Sequence, residues 1–257
     1  MEENELGPLA GKVAFVTGST SGIGRAVALR FATDGADVVV HGRNQERAEL
    51  VKGEIETAGR RAAVVLGDLS DPDVVDEVAK GALAAFGRVD LLVNNAGFGW
   101  VGSFTSMTRE LVLRMVATNF TSVVLLTQRV VKKMRRNQVG PDGSRGRVVN
   151  VSSIGGKTAK ANKVLYDSTK WALVGFTQGL AAELAPRKIL VNAVCPGIID
   201  TPIWGPQGAS LRDVSEVPLR RFGTPEDVAE VVSFLVSPAN TYMTGQAINV
   251  SGGREMH

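Results

Sequence analysis

The sequence predicts one doubly wound α/β domain: a mostly parallel sheet of about seven strands with helices on both faces. Three observations lead there. Short valine-rich apolar runs alternate with longer segments of helical spacing along the whole chain. The first run ends in a glycine-rich turn that opens directly into a helical segment. No change of composition and no internal repeat marks a boundary, so residues 1–257 read as a single domain.

Each element has its own signal. KVAFVTG (12–18) is a brief apolar run closed by glycine, a buried strand. In IGRAVALRFATDG (23–35), Ile23, Val27, Leu29 and Phe31 recur at helical spacing and Gly35 supplies a stop. ADVVVHGR (36–43) is the second strand, followed by a helix over 44–58. RAAVVLGDLS (61–70) is a third strand with its turn, and 71–86 a third helix. VDLLVNNAG (89–97) is the fourth strand and 109–136 a long helical stretch. RVVNVSS (147–153) is the fifth strand and 164–185 another long helix. ILVNAVCPG (189–197) is the sixth strand. TPEDVAEVVSFLVS (224–237) begins with Thr, Pro and acids, as helix N-termini do. QAINVSGG (246–253) is the last strand. Two stretches read as loops, 137–146 and a longer one after Pro196.

Composition narrows the functional classes. The 29 basic and 26 acidic residues leave a net charge of +3, too mild a surplus to argue for nucleic acid. The single cysteine, Cys195, allows no internal disulfide and reads as a small packed residue. Two histidines, His41 and His257, make no metal site, and His41 is expected at a strand end near an adenosine. The N-terminal MEENELGPLAGK has no basic region followed by an apolar one, and no apolar run reaches the roughly 18 residues of a membrane span. A cytoplasmic protein without membrane association is expected.

The turn TGSTSGIG (17–24) has the spacing G-x-x-x-G-x-G through Gly18, Gly22 and Gly24. Glycines let the backbone approach a pyrophosphate, and the following helix N-terminus offers free N–H groups and a positive dipole end. A dinucleotide site is therefore expected. At the end of the second strand, where an acid would bind the ribose of NAD, the chain reads HGRN (41–44). Arg43 can hold a 2′-phosphate bidentately, which favours NADP(H) over NAD(H).

VLYDSTKWAL (164–173) puts Tyr166 and Lys170 one helical turn apart. An unperturbed phenol has a pKa near ~10, too high for proton exchange at neutral pH, and an adjacent ammonium is expected to lower it. By itself the pair is a common surface pattern. It gains meaning from TGSTSGIG, GDLS (67–70), NNAG (94–97), Asn119, VNVSS ending at Ser153, YDSTK (166–170) and CPGIIDT (195–201), which follow in that order.

Together these motifs resemble the short-chain dehydrogenase/reductase family, over nearly the whole chain from Gly11 to Gly253. The resemblance implies a Rossmann-like fold and a catalytic set of Asn119, Ser153, Tyr166 and Lys170. Tyr166 would be the general acid in carbonyl reduction and the base in the reverse direction. Ser153 would hold the substrate oxygen, and Asn119 a water linking Lys170 to solvent. Lys170, with Tyr166, would also meet the nicotinamide ribose. Gly18, Thr20, Ser21, Gly22, Ile23 and Gly24 would line the pyrophosphate and adenosine ribose, with Arg43 and Asn44 beside them. Asp68 and Leu69 would meet the adenine, and Asn95, Ala96 and Gly97 the ribose. Pro196, Gly197, Ile199 and Thr201 would line the nicotinamide end. Many NADP-dependent relatives carry a cation just before the second glycine of the turn; here that place is Ser21, which leaves Arg43 largely alone.

The family's substrate lid would fall near 202–217, rich in Pro and Gly. Trp204 within it either covers the substrate or packs in the core. Phe98 and Trp100 are expected to line the pocket, and the stretch Gly155–Gly156–Lys157 resembles aromatic-polyketide ketoreductases. Lys132, Lys133, Arg135, Arg136, Arg145 and Arg147 gather in sequence, either as a docking face for an acidic carrier protein or as a solvated helix end.

The expected function is an NADPH-dependent reductase of a carbonyl to a secondary alcohol, acting on a 3-oxoacyl-carrier or polyketide substrate. The alternative is a small free ketone, diketone or sugar. A non-catalytic cofactor sensor or scaffold is disfavoured because the four-residue set is complete. The resemblance also implies a homotetramer or homodimer joined through the two long helices.

Overall fold

The computed structural model describes residues 7–201 and 213–257. Trp204 and most of the lid segment lie outside them. Seven strands form one fully parallel sheet: β1 (Val13–Val16), β2 (Asp37–Gly42), β3 (Ala62–Leu66), β4 (Leu91–Asn94), β5 (Gly146–Val151), β6 (Ile189–Pro196) and β7 (Ala247–Val250). Their spatial order is β3-β2-β1-β4-β5-β6-β7. The chain therefore reverses its direction of travel between β1 and β4. In doubly wound sheets the crevice at that reversal, outside the carboxyl ends of the strands, is where ligands bind.

Helices cover both faces because the strands are apolar on both. α1 (Gly22–Thr33), α2 (Gln45–Thr57) and α7 (Pro225–Val236) pack on one side around Val27, Phe31, Val38, Val40, Ile55 and Val232. α3 (Pro72–Ala85), α5 (Ser122–Met134) and α6 (Val164–Leu184) pack on the other around Phe15, Val78, Leu92, Leu126 and Val191. Local chemistry starts these helices where expected. Thr224 and Asp227 form a reciprocal capping box with Pro225 in the first turn, and the Asp71 side chain accepts from Asp73 N.

The long stretch expected over 109–136 is two helices, α4 (Arg109–Val116) and α5, joined by a single π turn at Ala117–Thr121 that contains Asn119. Such wide turns are often found at functional sites. Contrary to the sequence expectation, Arg109–Met134 as a whole is long and apolar enough to cross a membrane by length and composition. It is instead placed on the sheet, with α5 against α3 and α4 against α6.

A buried polar chain fixes the two strands that carry the motifs. Asn94 Nδ2 donates to Asn150 Oδ1 at 2.8 Å and to Thr127 Oγ1 at 2.9 Å, and Asn150 Nδ2 donates to Thr177 Oγ1 at 2.9 Å. These bonds join α5, β4, β5 and α6. A one-residue slip of β4 against β5 would leave several buried amides unpaired, so the register is strongly specified.

Candidate active site

A cleft of about 1090 Å³ opens at the carboxyl ends of the strands. Its walls contain most of the residues expected from sequence: Gly18, Thr20, Ser21, Gly22, Ile23, Arg43, Asp68, Leu69, Asn95, Ala96, Gly97, Ser153, Tyr166, Lys170, Pro196, Gly197, Ile199 and Thr201. Phe98 and Trp100 line it as well.

The glycine turn is shaped to receive a chain of phosphates. Gly18 turns with φ +64°, and Gly24 lies so close beneath it that a Cβ there would stand 2.3 Å from the Gly18 carbonyl oxygen. Gly24 thus serves by its closeness to the turn; it is not among the cleft's walls. Asn95 braces the same turn, its Nδ2 donating to Thr17 O at 2.9 Å and Gly18 O at 3.2 Å. With the N-terminus of α1 and the residues of the turn facing the cleft, this end fits a dinucleotide pyrophosphate.

Arg43 stands at the mouth of this end. Its Nη1 lies 3.4 Å from Asp68 Oδ2, both side chains largely exposed. Burial raises the Asp68 carboxyl, but hydrogen bonds from Ser70 and the Arg43 charge outweigh it and hold the group below the usual carboxylate range. Asn44 departs from expectation. Its side chain accepts from Arg47 N at 2.8 Å, capping α2, and it is not among the cleft's walls. Arg114, not anticipated, also lines the cleft, 4.0 Å from Asp68 and with its guanidinium 5.6 Å from the Phe98 ring centroid. Its spacing from the motifs carries no signal in sequence.

At the inner end, Ser153 follows β5 and Tyr166 and Lys170 lie on the first turns of α6. Ser153 Oγ accepts from Gly155 N at 3.0 Å. Lys170 is buried, its Nζ donating to Val151 O at 2.9 Å and lying 5.7 Å from the Tyr166 ring centroid. Burial pushes the phenol up to about 12, with a Ser153 hydroxyl bond working the other way. Burial also drives Lys170 down to about 8. The expectation that Lys170 lowers Tyr166 is therefore not met by the protein's own groups. Below about pH 8 the amine keeps its proton, so an ammonium still faces any phenolate formed there. Burial favours the protonated phenol, the form that donates to a carbonyl oxygen.

Asn119 is held by several bonds. It is fully buried, with Nδ2 donating to Phe98 O at 2.9 Å and Oδ1 accepting from Phe98 N at 3.0 Å. A third contact reaches Thr169 Oγ1 at 3.3 Å. Its side chain thus clamps the loop after β4 to α6.

Asp167 was not singled out from sequence, because an acid beside a tyrosine has no distinctive pattern. It is buried, lines the cleft, and accepts from Lys160 N at 2.9 Å, tying the 157–163 loop to α6. Burial raises its carboxyl above the ordinary range. Arg254 and Glu255 of the C-terminal tail also line the cleft, with Arg254 paired to Glu216. Cys195 is a buried free thiol, as expected. Among the described residues no cluster of His, Cys, Asp or Glu has the makings of a metal site.

The basic run resolves into two parts. Arg147 is buried, donating to Asp142 at 2.9 Å and to Asn240 O at 2.7 Å, so it belongs to the core and not to a docking face. Lys132, Arg135, Arg136 and Arg145 instead surround a second hollow of about 450 Å³ with Arg187 and Lys188, two cations the sequence reading did not include. They come from the helix and loop ends that precede β5 and β6, at the opposite end of those strands from the cleft.

A parallel seven-stranded sheet with a glycine turn at its reversal point and a Ser–Tyr–Lys set at its carboxyl edge defines a nucleotide-dependent oxidoreductase framework. Comparison with known proteins agrees. The family model for short chain dehydrogenase matches residues 12–211. The chain is 40% identical over 248 residues to the 3-oxoacyl-[acyl-carrier-protein] reductase of Aquifex aeolicus, covering 95% of this chain and 98% of that one. It superimposes on the 3-ketoacyl-(acyl-carrier-protein) reductase of Brucella melitensis complexed with NADH, with TM-score 0.88 and 37% identity over 96% of this chain and 100% of that one. A short chain dehydrogenase of Burkholderia cenocepacia in complex with NADP gives TM-score 0.87 and 36% identity over 96% and 99%. The chain belongs to the short-chain dehydrogenase family.

Proposed function

We propose that this protein is an NADPH-dependent reductase that converts a carbonyl to a secondary alcohol, reversibly, with a 3-oxoacyl group on a carrier protein or a polyketide intermediate as its substrate. The observation that carries the reading is the Tyr166 phenol beside Ser153 and Lys170 at the inner end of a cleft whose outer end is the glycine turn. Bound NADPH would supply a hydride to the carbonyl carbon. The remaining work falls to the chain. Ser153 would hold the carbonyl oxygen, and Tyr166 would pass its proton to that oxygen as negative charge develops there. Lys170, charged at neutral pH, favours the phenolate left behind. The relatives named as carrier-protein reductases support the substrate class.

Arg43 supports the choice of NADPH. Its ion pair with Asp68 is exposed and long, hence weak, and a 2′-phosphate would readily replace the carboxylate as its partner. Arg43→Ala is expected to raise the Kd for NADPH by about tenfold or more while changing that for NADH less than threefold. Equal losses for the two cofactors, measured by nucleotide fluorescence, would remove the argument.

The six-cation hollow supports an acidic carrier. Reversing Arg135 and Arg187 to Glu together is expected to raise KM for an acyl-carrier substrate about tenfold and to leave a carrier-free acyl thioester unchanged. The hollow lies away from the cleft, so chemistry at Tyr166 should not respond. If wild-type protein reduces small ketones or sugars as fast as carrier thioesters, and the reversal changes neither, the carrier reading fails and the free-substrate reading stands.

The exposed apolar side chains Leu113, Val116, Val164 and Trp171 on α4 and α6 support a dimer or tetramer meeting through those helices. A cytoplasmic location is part of the same reading.

A further inference from the structure

His41 is buried at the last turn of β2, directly before the Gly42–Arg43 pair, and it lines the cleft. Three hydrogen bonds lock it to the glycine turn. Gly18 N donates to His41 Nδ1 at 3.1 Å, Ser19 N donates to His41 O at 2.9 Å, and His41 N donates to Ser19 Oγ at 2.9 Å. The next residue deepens the interlock. A Cβ at Gly42 would stand 2.4 Å from Thr20 Cγ2, so the strand end and the turn are in direct contact.

The first of these bonds decides the state of the ring. Gly18 donates, so Nδ1 carries the lone pair and the imidazole is the neutral form with its hydrogen on Nε2. Burial enforces the same state, lowering the ring to about 4. Nε2 is buried with the Gly67 backbone beside the ring but no bond of ordinary geometry to it. The Gly18 amide thus makes the ring's one well-formed hydrogen bond.

We propose that His41 is a positioning residue for the dinucleotide: its Nδ1 holds the Gly18 amide and so fixes the turn that receives the pyrophosphate. This rests on the reading of the cleft as a nicotinamide-dinucleotide site. Gly18 N–H is thereby committed to the protein, and the phosphates are left to the N–H groups further along the turn and at the start of α1. An acceptor at the Nδ1 position is what matters, not the imidazole as such. Asn presents its Oδ1 at nearly the same place; Leu fills similar space with no acceptor.

Two variants and one spectrum test this. In His41→Leu the Kd for NADPH, measured by fluorescence, is expected to rise about tenfold, and in His41→Asn less than threefold. At saturating NADPH both should keep kcat within twofold, because neither touches Tyr166, Ser153 or Lys170. The nitrogen NMR spectrum of the wild-type ring should show Nδ1 as the lone-pair nitrogen, with the Gly18 amide protected from hydrogen exchange. A wild-type Kd in the Leu variant, or equal weakening in both variants, would overturn the proposal. If His41→Leu does not fold, a wild-type spectrum with the hydrogen on Nδ1 would overturn it equally. Failure of wild-type protein to bind either NADPH or NADH would instead bring down the dinucleotide reading on which it rests.

Discussion

Tyr166→Phe is expected to lower kcat for carbonyl reduction by about 10³-fold while leaving the Kd for NADPH within twofold. The substitution removes one oxygen from a half-buried ring and leaves its packing intact. Among the described residues, the two side chains beside the phenol are poor replacements. Ser153 has a hydroxyl of far lower acidity, already placed against Gly155 N, and Lys170 is turned to the Val151 carbonyl. The phenol stays protonated across the working range, since burial pushes it up to about 12. The loss should therefore be the same at pH 6 and pH 7, below the range in which Lys170 titrates. Retention of a tenth or more of wild-type kcat would show that the proton comes from elsewhere.

Lys170→Met is expected to cost about 10²-fold in kcat/KM, because the developing phenolate would then face no cation. Its clearer signature is in pH. Burial brings Lys170 down from the ordinary 10.5 to about 8 in the folded protein. Between those values the unfolded chain binds more protons than the native one, so stability rises with pH across that window. The penalty for burying the ammonium is fully present below about 8 and is relieved as pH approaches 10.5. Taken at face value the shift corresponds to about 3 kcal/mol. Thermal denaturation of wild-type protein should show this rise between pH 8 and 10, and the Met variant should lack it. Above pH 10 the raised Tyr166 acts in the opposite sense, so the comparison belongs below that point. In activity, wild-type kcat/KM for reduction should be level below pH 7 and decline through about pH 8 as the ammonium is lost. Identical pH profiles for the two proteins would show that Lys170 is not the titrating group.

Sequence reading served best where a pattern is local. Strands and helices alternate with periods that the residues display directly, and Thr224, Pro225 and Asp227 announce their helix by their own chemistry. The positions of Ser153, Tyr166 and Lys170 were legible because their motifs sit at fixed distances along the chain, and the fold brings those distances to one place. What escaped depends on which partner a side chain finds in the fold, whether near or far along the chain. Asn44 caps α2 through Arg47 N and Asn119 bonds the Phe98 backbone, contacts that no motif announces. Arg147 sits in a basic run yet is buried against Asp142 and Asn240. The inverted relation between Tyr166 and Lys170 came from burial, which spacing alone does not report.

The chain of amides and hydroxyls running from Thr127 through Asn94 and Asn150 to Thr177 ties the elements that carry the chemistry, while among the described residues three separate stretches add to the cleft's walls: the loop after β4, the loop ahead of α6, and the C-terminal tail. The two jobs are thereby divided. Those three stretches can be rewritten to admit a bulkier, longer or more polar carbonyl compound without moving the proton donor. Engineering of selectivity should begin at Trp100, Lys160 and Arg254, and leave the amide chain untouched.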